Sequence, residues 1–365
     1  MPGFIDAHMH IESCMAAPGE LAKVLAKAGT TTIIADPHEI VNVSGTKGMD
    51  YFLKCAAKLL VNVFFMVPSA VPATDVETNG CGEFLASDMM KYVDNARVLG
   101  LGETMRFMEC CEGEKRMADK LELFAKKHID GHAPGIRGKE VQAYRLAGVE
   151  NDHECSTAEE VLDKLRAGLH IYVREGSGAK NLETLIKTML DAGVCLDRCA
   201  FCTDDKHVEE IRKEGHISTC IRKAIALGVP VAKAYKMGSY QAAEFYGLKN
   251  YGAIGAGYRA DIVFLDDLEQ VRPLDVMKDG RILTEEDYAK DYSVPVPDEL
   301  LHTVHVGEVT KEKIRLSCDG KTDVIQMNPH QIVTTHLVEE VPAENGYFKP
   351  DGVYNKICVV EPVSY

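Results

Sequence analysis

Two histidines near the start of the chain, His8 and His10, have the spacing of a metal-ligand pair. They follow the apolar pair Phe4-Ile5, and side chains two positions apart on a β-strand point to the same side of that strand. Imidazole is the commonest protein ligand for transition metals. A His-x-His pair is nevertheless more often a surface or core feature than a metal site, so the prediction depends on further ligands.

Further histidines and carboxylates stand at or near the ends of later apolar runs. The candidate ligands are His8, His10, Glu103, His132, His153 and Asp204. The runs predict eight strands, which begin at Phe4 and continue in residues 30–39, 61–69, 98–103, 128–134, 149–155, 170–177 and 198–205. Segments with helical character lie between them, at 20–28, 48–60, 87–95, 114–127, 157–169 and 181–192, and residues 230–247 after the last strand are expected to form one further helix.

Strands that alternate with helices of this length predict an α/β fold, specifically a (β/α)8 TIM-like barrel. A doubly wound sheet is the alternative, but no G-x-G-x-x-G follows the first strand, which weakens it. Barrel enzymes carry their active sites at the carboxyl ends of the strands. The six candidate ligands are therefore expected to converge there. For Asp204 and Asp205, which precede a helix, N-capping is an alternative role.

Longer motifs resemble the amidohydrolase superfamily and, within it, the adenine deaminase family. They are PGFIDAHMHIES (2–13), GTTTIIADPHEIVNV (29–43), VLGLGE (98–103), DGHAPG (130–135), REGSGAKNL (174–182), CTDD (202–205) and GAIGAGYRADIVFLDD (252–267). The likeness runs from Pro2 to about Gly280. His-x-His alone would indicate only the superfamily, whereas ADPHE, a strand-four glutamate and REGS together are specific to this branch.

The resemblance implies a centre of two divalent metal ions per chain, held by the six candidate ligands. Many relatives bridge their metals with a carboxylated lysine, and Glu103 stands at that position here. A mixed set of imidazoles and carboxylates suits Mn²⁺, Fe²⁺ or Zn²⁺. The resemblance implies manganese or iron, and we expect Mn²⁺.

The resemblance further implies hydrolytic deamination of adenine to hypoxanthine and ammonia. A metal-activated hydroxide would attack C6, with Asp204 as the proton shuttle. Glu154 is the second catalytic candidate, although it could instead orient His153. The candidate substrate-binding residues are His38, Glu39, Arg174, Glu175 and Ser177. The alternatives are another amidohydrolase reaction, on a cyclic amide or N-acyl group, and a truncated metal-binding fragment without activity.

We expect three segments along the chain. Residues 1–247 form the barrel, 248–290 a partial small β-domain, and 291–365 a linker with the start of a C-terminal domain. Family members carry additional N-terminal and C-terminal portions, so we expect this chain to lack them and to expose a β-edge. That edge and the resemblance favour a homo-oligomer.

Composition favours a cytoplasmic enzyme that acts on a small molecule. The net charge of −15, from 56 acidic and 41 basic residues, would repel a nucleic-acid backbone. No apolar stretch approaches the roughly 20 residues of a membrane helix, and the Met1-Pro2-Gly3 start leaves no room for a secretory signal. The twelve cysteines include Cys199 and Cys202 but no second C-x-x-C with zinc-finger spacing, so we expect reduced thiols.

Overall fold

A ring of short parallel strands surrounds the centre of this computed structural model, which describes residues 1–77, 79–318 and 320–360. The strands of the ring are β1 (Phe4–Met9), β2 (Thr30–Ala35), β3 (Asn62–Val67), β4 (Val98–Thr104), β5 (His128–Gly131), β6 (Asn151–Asp152), β7 (His170–Arg174) and β8 (Cys199–Cys202). Each coincides with a predicted strand. Pairing is parallel from β1 to β5 and again from β6 to β8.

Backbone hydrogen bonds close the ring at both remaining junctions. The amide of Glu150, just before β6, donates to the carbonyl of Ile129 in β5 at 3.0 Å. The amide of Asp204 donates to the carbonyl of His8 at 3.0 Å, and the amide of His10 donates to the carbonyl of Asp204 at 3.2 Å. Because the last strand bonds back to the first, the open doubly wound sheet is excluded. The predicted (β/α)8 barrel is confirmed.

Helices surround the ring, so that β1 and β2 are buried along their whole length, as expected of strands covered on both faces. The helices are α1 (Pro18–Lys27), α2 (His38–Ser44), α3 (Thr46–Ala56), α4 (Ala86–Met89), α5 (Phe107–Glu112), α6 (Lys115–Leu123), α7 (Lys139–Leu146), α8 (Ala158–Arg166), α9 (Leu182–Asp191), α10 (Val208–Glu214), α11 (Ile217–Ala226), α12 (Val231–Met237), α13 (Tyr240–Phe245) and α14 (Glu285–Ala289). Short 3₁₀ turns cover Glu12–Cys14, Met90–Tyr92, Leu196–Arg198 and Asp298–Leu300.

Side chains fix the start of helix α8. At the start of α8 the hydroxyl of Thr157 accepts from the amide of Glu160 at 3.3 Å, while the Glu160 carboxylate accepts from the amide of Thr157 at 2.9 Å. This reciprocal capping box satisfies amides that have no partner within the helix.

Residues 230–247 were expected to form one helix, but α12 and α13 are separated at Gly238. A Cβ there would lie 2.6 Å from Ile221.

A small antiparallel sheet follows the barrel and pairs with the start of the chain. Its strands are β9 (Ile262–Leu265), β10 (Pro273–Lys278) and β11 (Arg281–Ile282), in the order β11-β10-β9. The amide of Val263 donates to the carbonyl of Met1 at 2.8 Å, and the amide of Gly3 donates to the carbonyl of Asp261 at 2.8 Å. The first residues of the chain therefore line the edge of β9, where sequence analysis expected an unpaired edge.

Residues beyond the small sheet form two hairpins. Strand β12 (Lys321–Gln326) pairs with β13 (Thr335–Glu340), and β14 (Ala343–Glu344) pairs with β15 (Tyr347–Phe348). The boundaries at 247 and 290 stay predictions, and residues 361–365 of the third predicted segment lie outside the described residues. Within the described ranges no helix combines the length and apolarity needed to cross a membrane.

Candidate metal centre

The histidines of β1 meet at the carboxyl end of the barrel strands. His8 and His10 are both buried, and their Nε2 atoms lie 3.2 Å apart. Nδ1 of His10 lies 2.8 Å from the backbone carbonyl of Asp36. Because a carbonyl can only accept, Nδ1 carries the proton, and in the neutral ring Nε2 keeps its lone pair for a metal.

Glu103, near the end of β4, is the carboxylate around which the imidazoles gather. Its Oε2 lies 2.6 Å from Nδ1 of His132 and 3.1 Å from Nε2 of His153. Its Oε1 lies 3.1 Å from Nδ1 of His38 and 3.5 Å from Nε2 of His10. Burial would raise the pKa of Glu103, but the neighbouring imidazoles, His132 foremost, outweigh it and hold the pKa well below its usual range. Both oxygens of Glu103 therefore face imidazoles of the cluster, and each can act as a ligand.

Asp204, two residues after the end of β8, is the last of the predicted ligands. Its Oδ1 lies 3.0 Å from Nε2 of His10 and 3.7 Å from Nε2 of His8. Burial would raise its pKa, but the hydrogen bond with His10 and the charge of Arg174 hold the pKa well below the usual value. Its backbone lies in the left-handed region, with a φ of +57°, which Asp adopts more readily than most residues. Helix α10 starts at Val208, so Asp204 does not cap it.

All six predicted ligands thus lie in one cluster. Ligand atoms fall within 4.8 Å of one another in three overlapping groups: His8 with Glu103 and His153, His8 with His10 and Asp204, and His132 with His153 and Glu154. His38 and Glu39, in the first turn of α2, reach the same cluster through His10.

The donor atoms fit bound metal. Nδ1 of His153 is buried with no hydrogen-bond partner in the described part of the chain, and Nε2 of His153 lies 3.1 Å from Oε2 of Glu103 but outside hydrogen-bonding geometry. Buried polar atoms are ordinarily satisfied, so these need a partner that the protein itself does not supply. Imidazoles mixed with carboxylates suit first-row divalent ions.

The predicted substrate-binding residues divide into two groups. His38, Glu39 and Arg174 contact the cluster: Oε2 of Glu39 lies 3.7 Å from Nδ1 of His10, and Arg174 bonds to Asp204 at 2.8 Å. Glu175 and Ser177 are directed elsewhere. Glu175 accepts from Nζ of Lys223 at 2.5 Å, and Ser177 donates to Glu210 at 2.9 Å. The structure does not bring these two to the cluster.

Asp36 is a site residue that sequence analysis did not single out. It is buried at the end of β2, and its Oδ2 accepts from the amide of Glu103 at 2.8 Å. Burial, together with the charge of Glu103, raises the pKa of Asp36 to about 7. The sequence offered a signal in the position of Asp36 directly after the TTTIIA run, and in the structure Gly102 leaves room for its carboxylate, which a Cβ at that position would overlap.

Curated proteins similar to this chain carry consistent names. It is 44% identical to "Adenine deaminase" of Desulfitobacterium hafniense (strain Y51), over 99% of this chain and 63% of that protein. It is 43% identical to "Adenine deaminase 2" of Carboxydothermus hydrogenoformans, over 95% of this chain and 61% of that protein. The chain thus spans about three fifths of the length of these relatives.

Solved structures share the fold. A β-aspartyl dipeptidase from Fervidobacterium islandicum AW-1 aligns with a TM-score of 0.57 and 17% identity, covering 79% of this chain and 83% of that one. A crystal structure of an adenine deaminase aligns with a TM-score of 0.54 and 17% identity, covering 77% of this chain and 86% of that one. The sequence profile of the amidohydrolase family matches residues 1–283, which include the barrel, the ligand cluster and the small sheet. The chain belongs to the amidohydrolase family.

Proposed function

We propose that the chain catalyses hydrolytic deamination of adenine to hypoxanthine and ammonia. The observation that carries this proposal is the convergence of four imidazoles and two carboxylates at the barrel mouth, in a chain 44% identical to a protein named adenine deaminase. Free adenine is small and neutral, so the net charge of −15 does not oppose its binding.

The proposed cofactor is a pair of divalent metal ions, and Mn²⁺ is the metal that we expect. His8, His10 and Asp204 would hold one ion. His132 and His153 would hold the other, and Glu103 would be a further ligand of the pair. When bound, such ions lower the pKa of water so that it supplies hydroxide at neutral pH.

Asp204 is the proposed proton shuttle. Its low pKa keeps the carboxylate ionised at neutral pH, so one of its oxygens can accept the proton that the attacking water loses. As the C6–N bond breaks, the same carboxyl group would return the proton to the departing nitrogen, which leaves as ammonia. Because this carboxylate is already held in place by hydrogen bonds, little further entropy is lost in positioning it for the transfer.

Glu154 is proposed as the second catalytic group. Its Oε1 lies 3.4 Å from Nε2 of His153 and 3.6 Å from Nδ1 of His132, which supports the orienting role. Its Oε2 is buried without a partner among the described residues, and could accept an N–H from the purine ring. Both roles use the same carboxylate at once.

The cellular setting is part of the proposal. We propose a cytoplasmic enzyme of purine salvage that works as a homo-oligomer. All twelve cysteines lie in the described ranges as free thiols, which supports a reducing compartment. Exposed apolar side chains on the β12–β13 hairpin, such as Ile325 and Val338, support association with further protein.

Ammonia release from adenine tests the proposal directly. The protein is reconstituted with Mn²⁺ under anaerobic, reducing conditions and compared with Asp204→Asn. The matched control is Asp191→Asn, on an exposed carboxylate at the end of α9. We expect release from the wild type and from Asp191→Asn, and none above background from Asp204→Asn.

Other outcomes separate the alternatives. Two bound metals without ammonia release would refute adenine as substrate, and a hydantoin and dihydroorotate panel would then test the other amidohydrolase reactions. Metal content without turnover of any of these would indicate a non-catalytic fragment. Absence of bound metal would show that the ligand assignment is wrong.

A further inference from the structure

Arg174, the last residue of β7, lies beneath the metal-ligand cluster and is completely buried. Its Nη1 donates to Oδ2 of Asp204 at 2.8 Å and to Oε1 of Glu154. One guanidinium therefore bridges the proposed shuttle and the second proposed catalytic carboxylate. A buried arginine between two carboxylates offsets their mutual repulsion and fixes the direction of both.

Asn181 holds the opposite side of the same guanidinium. This residue is also completely buried, and its Oδ1 accepts from Nε and Nη2 of Arg174 at 3.3 and 3.1 Å. The amide of Asn181 donates to the carbonyl of Arg174 at 3.1 Å. With these donors in use on both sides, Arg174 is held as a fixed support for the carboxylates, in contrast to the substrate-binding role that sequence analysis considered.

The C-terminal hairpin contacts this pair from outside the barrel. Nδ2 of Asn181 donates to Oε1 of Gln331 at 3.2 Å, and the amide of Lys180 donates to the carbonyl of His330 at 3.1 Å. His330 and Gln331 belong to the turn between β12 and β13. A segment far from the barrel in sequence thus reaches the loop that follows β7.

We infer that Arg174 and Asn181 are positioning residues for Asp204 and Glu154, and that Gln331 of the C-terminal hairpin completes their support. The hairpin is then part of the active-site architecture. For its effect on turnover, the inference rests on the proposed function. Removing the Asn181 side-chain oxygen leaves two buried N–H donors of Arg174 unpaired, which is unfavourable, so the guanidinium shifts and the two carboxylates shift with it.

Four substitutions separate these contacts. Asn181→Leu removes both the Arg174 and the Gln331 contacts at similar size. Asn181→Asp keeps the oxygen that faces Arg174 and places a second oxygen opposite Gln331, whose amide can rotate so that Nε2 donates to it. Gln331→Leu removes only the hairpin contact, and Gln326→Leu makes the same change at an exposed position of β12.

The Mn²⁺-loaded variants are assayed for kcat and KM with adenine. Loss of a group that orients catalytic ligands typically costs roughly 10–100-fold, so we expect Asn181→Leu to lower kcat by about that factor at nearly unchanged KM. Asn181→Asp should restore kcat to within about threefold, Gln331→Leu should give an intermediate loss, and Gln326→Leu none. A raised KM at unchanged kcat would overturn the inference, because it would mean that Arg174 binds substrate.

Mn²⁺ affinity, measured by titration, keeps the inference testable if adenine is not the substrate. Asp204 is a predicted ligand, so Asn181→Leu should bind Mn²⁺ more weakly than Gln326→Leu whatever reaction the wild type catalyses. If the wild type releases no ammonia and affinity still falls, only the proposed function fails. Equal Mn²⁺ affinity in the two variants would overturn the positioning role. Should Asn181→Leu fail to fold, Gln331→Leu against Gln326→Leu decides the same question.

Discussion

Replacing Lys164 by methionine should destabilise the barrel more than the same replacement of a surface lysine. Lys164 projects from α8, and its Nζ donates to Oδ1 of Asp152 at 2.9 Å and to the carbonyl of Ala133 at 2.7 Å. Both charged side chains are fully buried. Methionine matches the length of the chain but leaves the Asp152 carboxylate without its counter-charge.

The expected magnitude follows from that burial. Removing one partner of a buried ion pair costs about 3–5 kcal/mol. Unfolding entropy near 60 °C is about 2.1 cal/mol/K per residue, or about 0.6 kcal/mol/K for the 283 residues that match the family profile. The melting temperature should therefore fall by roughly 5–8 °C.

Scanning calorimetry of the metal-free protein measures this shift, and a double-mutant cycle isolates the pair. The control is Lys187→Met, which removes a solvent-exposed ion pair with Glu183 and should change stability by less than about 0.5 kcal/mol. Lys164→Met combined with Asp152→Asn should be more stable than Lys164→Met alone, because no buried charge is then unpaired. A melting temperature for Lys164→Met equal to that of Lys187→Met would refute the reasoning, as would strictly additive losses.

Three further measurements test other parts of the structure. Burial, with a contribution from a nearby arginine, lowers the pKa of His170 to about 4. Its neutral ring therefore favours folding above the unfolded pKa of about 6.5, and this stability is lost as the pH falls towards 4. Since the ring is partly exposed, we expect this contribution to the free energy of unfolding to be about 1 kcal/mol. The melting temperature of His170→Gln should therefore differ less between pH 7.5 and pH 5 than that of the wild type, and parallel pH curves for the two proteins would contradict the prediction. Gly100→Ala should give insoluble or strongly destabilised protein, because its Cβ would overlap the carbonyl oxygen of His128, whereas Gly178→Ala has open space; equal stability of the two would show that β4 can shift. Adding Mn²⁺ at 100 times its Kd should stabilise the wild type by about 2.7 kcal/mol, and Asp204→Asn much less at the same concentration; an identical shift in both would remove Asp204 from the ligand set.

The pattern of apolar runs and helical segments was sufficient to predict the barrel. Strand β2 is a continuous run of β-branched and apolar residues, β1 begins with the apolar pair Phe4-Ile5, and the apolar positions of α8 repeat at helical spacing, so these elements could be recognised from neighbouring residues alone. The division of residues 230–247 into two helices could not. At the division, Gly238 packs closely against Ile221, 17 positions away, and its carbonyl accepts from the amide of Ile5 at 2.9 Å, and both contacts join residues that are distant in sequence.

The ligand set was predictable for a related reason. Parallel strands bring their carboxyl ends to one face of a barrel, so His8, Glu103 and Asp204 had to converge once the strands were recognised. Position relative to a strand end does not determine side-chain direction beyond the strand, however. Glu175 and Ser177 lie within three residues of the end of β7, yet they bond to Lys223 and Glu210.

The sequence alone determined the order of strands and helices, the face at which the ligands meet and the family to which they belong, because these depend on residue type and local spacing. Only the tertiary structure decided which groups support the site. Three hydrogen bonds of this kind join residues 12 to 150 positions apart, namely those between Asp36 and Glu103, between Lys164 and Asp152, and between Gln331 and Asn181. Such contacts are selected by the packing of whole elements, where a buried charge or amide must find its partner, and no local pattern encodes that choice.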